Sequence, residues 1–233
     1  VCSSDLAWDQ IRVSVCYTGA NVKLAGAHAG ISVGPDGATH QALEDIAMMR
    51  PLPNLTLLVP CDYEETRKAT LAAAAHPGPV YIRFAREKTA CITTRETPFM
   101  IGKSLVVQEG KDITLIACGP LLHETILAAH FLSQKGIEAD VINASTIKPF
   151  DKETLITSLR KTRRCVTVEE HQVTGGLFGA VAETAAQYFP VPIEPIGMPN
   201  SFGESGEPKE LLEKYGMTTH AIMNVAERMV KHH

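Results

Sequence analysis

The chain alternates short apolar runs with segments whose apolar residues recur at helical spacing. Residues 22–27, 55–59 and 80–84 are predicted as buried strands, with helical patterns before, between and after them. Strands that are separated by a helix pair in parallel, because the crossover returns the chain to the same end of the sheet. The sequence therefore predicts an α/β fold class, with two successive open, mainly parallel-sheet α/β domains.

The boundary between the two domains is predicted from a lapse in this pattern. Residues 87–98 are a stretch of Thr, Glu, Arg and Lys without apolar periodicity, which is typical of a linker. We therefore predict one domain at residues 1–98 and a second at residues 99–233. The second domain is predicted to contain strands at residues 113–117, from 141, at 165–168 and at 193–196, and helices from 120, at 151–160, 177–188, 209–215 and 219–231.

Composition excludes several classes of function. The formal net charge is -4 over 233 residues, and no basic cluster is interleaved with aromatic residues, so nucleic acid is not an expected partner. The apolar runs are too short to cross a bilayer and no signal peptide is recognised, so we expect no membrane partner and a cytoplasmic location. We expect no bound metal, and free thiols packed in the core at Cys2, Cys16, Cys61, Cys91, Cys118 and Cys165.

The first six residues are interpreted as an artefact. Their sequence, VCSSDL, can be encoded by a common sequencing-library adapter. We therefore expect that the natural protein continues upstream of Ala7, in an open reading frame that is cut at its 5′ end.

The segment that begins at His28 carries the candidate site. Its sequence is HAGISVGPDGATHQALEDIAMMR, in which glycines allow tight bends around His28, Asp36 and His40, and residues 39–49 are predicted as a helix. The preceding strand delivers His28 to the carboxyl edge of the sheet, where such folds bind ligands. Two imidazoles and a carboxylate can move protons and bind hydroxyls near neutral pH, but a histidine in a loop can equally be a structural surface residue.

Several longer runs carry a family resemblance. In the first domain they are AWDQIR, SVCYTGANVKL, VGPDGATHQALEDIAMMR, PNLTLLVPCDYEET and PVYIRFARE. In the second domain they are GKDITLIACG, STIKPFD, VEEHQVTGGLFGAVAE and FGESGEPKELLEKYG. From Ala7 onward the chain resembles the later part of the transketolase pyrimidine-binding domain followed by the transketolase C-terminal domain, so it resembles a transketolase C-terminal section or subunit.

The resemblance implies roles for four residues. His28 and Arg86 would contact the phosphate end of a sugar phosphate, Asp36 would bind a substrate hydroxyl, and His40 would face the reacting carbon. His28 and His40 are the candidate catalytic residues, and all four are candidate substrate-binding residues. A guanidinium suits a phosphate, although Arg86 could also be a solvated surface residue. Arg83 is a weaker candidate, because strand alternation makes it face away from Arg86.

The resemblance also implies a cofactor and partners. Thiamine diphosphate with a divalent cation, Mg or Ca, would supply the electron sink in the complete enzyme, which moves a two-carbon ketol unit from a ketose phosphate to an aldose phosphate in the pentose phosphate pathway. The cofactor-binding residues are expected upstream or on a diphosphate-binding subunit or domain. The chain alone is therefore expected to be inactive and to bind no cofactor. A homodimer or heterotetramer is expected for the complete enzyme.

Two other functions remain open. Deoxyxylulose-phosphate synthases are similar in this region but usually carry Arg at the position of His28. A non-catalytic partner or regulatory module on the same fold is the other alternative. Residues 175–179, GGLFG, resemble a dinucleotide fingerprint but lack its glycine spacing, and we predict a structural helix start there. Glu169, Glu170 and His171 are assigned no catalytic role.

Overall fold

The structure, a computed structural model, describes residues 4–231. Helices and strands alternate through this stretch; residues 1–3, half of the segment attributed to an adapter, lie outside it. The strands are β1 (Lys23–Gly26), β2 (Thr56–Leu58), β3 (Val80–Arg83), β4 (Leu105–Gln108), β5 (Ile113–Ala117), β6 (Ala139–Asn143), β7 (Thr146–Lys148), β8 (Cys165–Gln172) and β9 (Ile193–Met198). The helices are α1 (Ser4–Gln10, continued by a π-helical segment Ile11–Tyr17), α2 (Asp45–Met49), α3 (Tyr63–Ala75), α4 (Leu122–Ser133), α5 (Lys152–Thr162), α6 (Leu177–Tyr188), α7 (Pro208–Lys214) and α8 (Thr219–Lys231).

A four-stranded sheet contains the three strands of the first half of the chain. Its order is β1-β3-β2-β7. Strands β1 and β2 both pair with β3 in parallel, so Tyr81 lies opposite Leu24 on one side and Leu57 on the other. Strand β7 pairs with β2 in the antiparallel direction. Because β7 follows the predicted boundary at residue 98, the first sheet takes one strand from the second half of the chain.

A five-stranded sheet forms the centre of the second half. Its order is β4-β6-β5-β8-β9, with parallel pairing throughout except between β4 and β6. The predicted fold class, two mainly parallel-sheet α/β units, is confirmed. The antiparallel strands β4 and β7 were not predicted.

The two sheets share their hydrophobic core. One cluster of buried side chains joins the first half to the second, with Ile46, Leu57 and Tyr81 from the first and Ile116, Ile142 and Leu177 from the second. Tyr81 and the other five are at most 7% exposed. The halves are therefore packed against each other through apolar side chains, and the candidate site lies close to this junction.

The helix predicted at residues 39–49 is wrong in its first part. Helix α2 begins only at Asp45, whereas Thr39, Ala42 and their neighbours form turns and a short bridge between Ala42 and Ala29. The Ala42 carbonyl accepts from the Gly30 amide at 3.0 Å, and the Leu43 carbonyl accepts from the Gln172 amide at 2.8 Å. Carbonyls that bond to distant segments cannot serve an α-helix, so His40 lies in a turn and not beside a helix start.

Among the cysteines that the structure describes, placement follows the core prediction with one exception, and Cys2 lies outside the described residues. Cys16, Cys61, Cys118 and Cys165 are buried free thiols, and burial raises the pKa of each. Cys91 is exposed, because it lies in the coil that follows β3 and precedes the second sheet. The prediction of a core position is therefore wrong for Cys91.

Candidate active site

His28 and Arg86 lie at the same edge of the first sheet. Each follows a strand, β1 and β3 respectively, and these strands pair in parallel, so their carboxyl ends meet. The pairing continues past the strands, because the Phe84 amide donates to the Gly26 carbonyl at 2.7 Å and the Ala29 amide donates to the Phe84 carbonyl at 3.0 Å. His28 has φ of 62°, a left-handed backbone conformation that is uncommon outside glycine and that concentrates at functional sites.

An open cavity of about 880 Å³ lies beside this edge. His28 and His40 both line it, together with the buried pair Asp45 and Tyr81 and the exposed ring of Phe202 from the second half. His40 is exposed, and its Nδ1 lies 2.9 Å from Thr39 Oγ1. The structure therefore brings the two predicted catalytic imidazoles to the wall of one cavity, open enough for a substrate to reach them.

Asp36 and Arg86 form an ion pair. Arg86 Nη1 donates to the Asp36 carboxylate and, at 3.2 Å, to the Val33 carbonyl. Both side chains are more than a third exposed to solvent, at 38% for Asp36 and 35% for Arg86. They do not line the cavity of the two histidines, and within residues 4–231 no hydrogen bond or ion pair joins the two pairs. The four predicted residues are thus two pairs, linked by the loop that runs from His28 to Asp36.

A buried ion pair that was not predicted lies beneath the cavity. Arg83 Nε donates to both oxygens of Asp45, at 3.1 and 2.9 Å, and Tyr81 Oη donates to Asp45 Oδ2 at 3.0 Å. Arg83 Nη2 donates to the carbonyls of Ala42 at 3.1 Å and Glu170 at 2.8 Å. An arginine in an otherwise apolar strand signals a buried charge that needs a partner, but the sequence does not identify a partner 38 residues away.

Glu169 and His171 lie side by side at the end of β8 and are fully buried. Glu169 accepts hydrogen bonds from the amides of Leu177 and Phe178, at 2.6 and 2.8 Å, while its burial raises its pKa to about 8. Burial lowers the pKa of His171 to about 4, so it is neutral near pH 7. Its Nε2 accepts from the Ala47 amide at 3.2 Å, and therefore Nδ1 carries the proton and donates to the Gln172 carbonyl at 2.7 Å.

The glycine-rich start of α6 is structural, as predicted. A Cβ atom on Gly176 would lie 2.0 Å from Glu169 Oε2, and the same carboxylate accepts from the first two amides of the helix. A protein side chain therefore occupies the position where a dinucleotide phosphate would have to bind.

Comparison with known proteins identifies the family. The family model described as "Transketolase, pyrimidine binding domain" matches residues 3–90, and the model described as "Transketolase, C-terminal domain" matches residues 102–222. The chain belongs to the transketolase family. The family resemblance of the sequence is thereby confirmed, and all four candidate residues lie within the pyrimidine-binding match, whereas Glu169 and His171 lie within the C-terminal match.

Relatives that are named as transketolase subunits or sections support this assignment, and the chain spans about 70% of their length. The chain is 40% identical over 96% of its length to the 6-deoxy-6-sulfo-D-fructose transketolase subunit SqwH of Clostridium sp. (strain MSTE9), covering 69% of that protein. It is 41% identical over 98% of its length to a putative transketolase C-terminal section of Methanocaldococcus jannaschii, covering 73% of it. A solved structure titled "Split gene transketolase, inactive beta4 tetramer" is similar with a TM-score of 0.92 and 41% identity, over 98% of this chain and 73% of that one.

The transketolase family implies thiamine diphosphate, and the described residues do not fit it. The two carboxylates in the cavity lining are already bonded, Asp45 to Arg83 and Tyr81, and Glu44 to the Leu43 amide at 3.2 Å and to Gln172 Nε2 at 3.4 Å. Among residues 4–231, no group of three or more His, Cys, Asp and Glu side chains is placed to hold a metal ion.

In the same stretch no helix has the length and apolar character to span a membrane.

Proposed function

We propose that this chain is part of a thiamine-diphosphate-dependent transketolase, in which it binds the sugar phosphate substrates at the carboxyl edge of β1 and β3. The observation that carries the proposal is that His28 and Arg86 follow the carboxyl ends of two paired parallel strands, with Asp36 bonded to Arg86. The guanidinium can bind the phosphate of a phosphorylated polyhydroxy compound, and the imidazole and the carboxylate can bind its hydroxyls.

Arg86 is proposed to bind the anionic end of the substrate. Its bonds to Asp36 and Val33 both use Nη1, so the rest of the guanidinium fork can face an incoming anion. Asp36 orients the fork and offers its second oxygen to a sugar hydroxyl. A similar transketolase subunit is named for a sulfonated sugar, and a guanidinium binds a sulfonate as it binds a phosphate, so Arg86 fits both.

His28 and His40 are proposed as the catalytic residues. Both line the cavity, where they can donate hydrogen bonds to a substrate carbonyl or hydroxyl and hold or accept a proton at a ring nitrogen. His40 would face the reacting carbon, and the Thr39 hydroxyl beside Nδ1 would orient its ring. Positioning and proton handling are thus the chemistry that this chain contributes.

The proposal requires a second kind of subunit or domain. Thiamine diphosphate and its divalent cation, Mg or Ca, would be held there, and the complete enzyme would be a homodimer or heterotetramer that acts in cytoplasmic pentose phosphate metabolism. Two observations support this: the similar protein SqwH is named as a subunit, and the similar solved structure is titled as an inactive tetramer of beta chains.

Reconstitution tests the proposal. The chain is mixed with a separately produced diphosphate-binding half of a transketolase, and thiamine diphosphate, Mg²⁺, xylulose phosphate and an aldose phosphate are added. We expect ketol transfer in the mixture and none with either protein alone. Calorimetric titration of the chain alone with thiamine diphosphate is expected to show no tight binding, because its described carboxylates at the cavity are already bonded. Tight binding to the isolated chain would contradict the proposal.

The same assay separates the alternatives. A deoxyxylulose-phosphate synthase would consume pyruvate in place of the ketose phosphate, although the His28 position disfavours this. A regulatory module would show no turnover with the diphosphate-binding half but would change the activity of another transketolase.

Replacing Arg86 with leucine is expected to raise the KM for a phosphorylated ketose about 10-fold to 100-fold, with a much smaller change in kcat. The reason is the loss of a charge-assisted hydrogen bond, about 1.5–3 kcal/mol, that is made equally in the bound substrate and the transition state. KM for an uncharged ketose should change little. Arg95→Leu, which alters an exposed arginine in the coil after β3, is the control. An equal loss for both donors would argue against the role of Arg86.

A further inference from the structure

The end of β8, in the second half of the chain, holds the loop that carries Asp36. Glu170 Oε2 accepts from the Ser32 amide at 3.2 Å and from Ser32 Oγ at 2.8 Å. Glu170 is 3% exposed and Ser32 is 5% exposed, so water competes little for these bonds. The short 3-10 helical segment Ile31–Asp36, which is kinked at Gly34, is therefore bonded near its start to the other half of the chain.

The loop backbone is shaped to admit the Glu170 carboxylate. A Cβ atom on Gly30 would lie 1.9 Å from Glu170 Oε2, and Gly30 has φ of 97°. Both observations require glycine at this position, since a side chain would displace the carboxylate and strain the backbone. The contact between Glu170 and the loop is thus a close fit and not a loose surface encounter.

Glu170 also holds strand β3, which Arg86 follows. Its backbone carbonyl accepts from Arg83 Nη2 at 2.8 Å, three residues before Arg86, while its carboxylate binds Ser32, four residues before Asp36. One residue therefore fastens both chain segments that supply the Asp36–Arg86 ion pair. Loss of the carboxylate would keep the strand side fixed by Asp45 and by the Glu170 carbonyl, but would remove both Ser32 bonds from the loop side.

We propose that Glu170 is a positioning residue, whose bonds to Ser32 hold the Ile31–Asp36 segment so that Asp36 meets Arg86 at the substrate edge. This inference rests on the proposed function for its effect on substrate, but not for its effect on the loop. It gives the C-terminal half a part in substrate binding without any contact between Glu170 and the substrate.

Hydrogen exchange of the isolated chain tests the effect on the loop. In Glu170→Leu, which loses both buried bonds to Ser32, and in Ser32→Ala, which loses the hydroxyl bond, amides within residues 31–37 are expected to exchange about ten-fold faster. Glu170→Gln keeps an oxygen that can accept both bonds and should restore slow exchange. Glu183→Leu is the matched control, because Glu183 also bonds across the halves, to Arg50, but is exposed and away from the loop. If Glu170→Leu does not fold, the exchange rates of Ser32→Ala test the positioning role.

Kinetics of the reconstituted enzyme test the effect on substrate. Glu170→Leu and Ser32→Ala are expected to raise the KM for a phosphorylated ketose several-fold with a smaller change in kcat, and Glu170→Gln should return it towards wild type. Unchanged exchange in residues 31–37 overturns the positioning role. Faster exchange together with no ketol transfer by the wild-type mixture leaves the positioning role standing and rejects the proposed function.

Discussion

Replacing Arg83 with methionine is expected to lower the free energy of unfolding by about 3–5 kcal/mol, because it leaves the Asp45 carboxylate buried without its counter-charge. Asp45 is 2% exposed and Arg83 4% exposed. Methionine fills most of the volume but offers no donor, so Asp45 keeps one side-chain bond, from Tyr81. The carbonyls of Ala42 and Glu170 also lose a donor. This loss is a large part of the stability of an ordinary domain.

Urea denaturation followed by circular dichroism measures this loss. Arg67→Met is the matched control, since Arg67 pairs with Glu64 on the surface of α3 with 41% of its side chain exposed, and such pairs contribute at most about 1 kcal/mol. The double variant Arg83→Met with Asp45→Leu should recover part of the stability, because it removes the unpaired charge. Equal effects of Arg83→Met and Arg67→Met would contradict a stabilising role of the buried Arg83–Asp45 pair.

The second large effect concerns acid stability. His171 has a native pKa of about 4, lowered by burial, whereas an unfolded histidine titrates near 6.5. Below about pH 6.5 the unfolded chain binds a proton that the native protein does not bind, so stability falls as the pH falls. The shift predicts a loss of about 3 kcal/mol from this one group between pH 7.5 and pH 4.

The contribution of His171 is isolated by comparing variants. Glu169 changes the stability in the opposite direction over an overlapping pH range. Because its pKa is raised in the native protein, the stability gained from its protonated form is lost as the pH rises from about 4.5 towards 8. The measurement is therefore the difference between wild type and His171→Gln in free energy of unfolding at pH 7.5 and at pH 4. Glutamine can still accept from the Ala47 amide but does not titrate. His220→Gln, at an exposed position on α8, should retain the wild-type slope, and a similar slope in His171→Gln would contradict the burial argument.

Much of the fold could be predicted from local patterns. Helices α3 and α6 and strands such as β5 could be predicted, because their apolar residues and helix-start residues lie within or directly before each element. The segment 39–44 could not be predicted, because its carbonyls bond to residues that are distant in sequence. Strand β7 was missed because its partner, β2, is distant in sequence and lies in the first half of the chain.

The candidate site could be predicted in part for a similar reason. Parallel pairing follows from the order of strands and helices, so His28 and Arg86 could be placed at one edge. The bonds of Asp36 to Arg86 and of Ser32 to Glu170 span 50 and 138 residues, and nothing local specifies them. Residues 169–171 did carry a signal, since three consecutive titratable residues in a buried strand must be bonded, but the pattern does not indicate to what.

The position of β7 in the first sheet has a consequence for how the protein unfolds. A cut between residues 98 and 99 would leave β2 with an unpaired edge and would turn Leu57 and its apolar neighbours towards water. Neither piece would retain a closed interior, so the two halves should melt as one cooperative unit despite their separate sheets. The loop with His28 and Asp36 then keeps its native geometry for as long as that joint unit is intact.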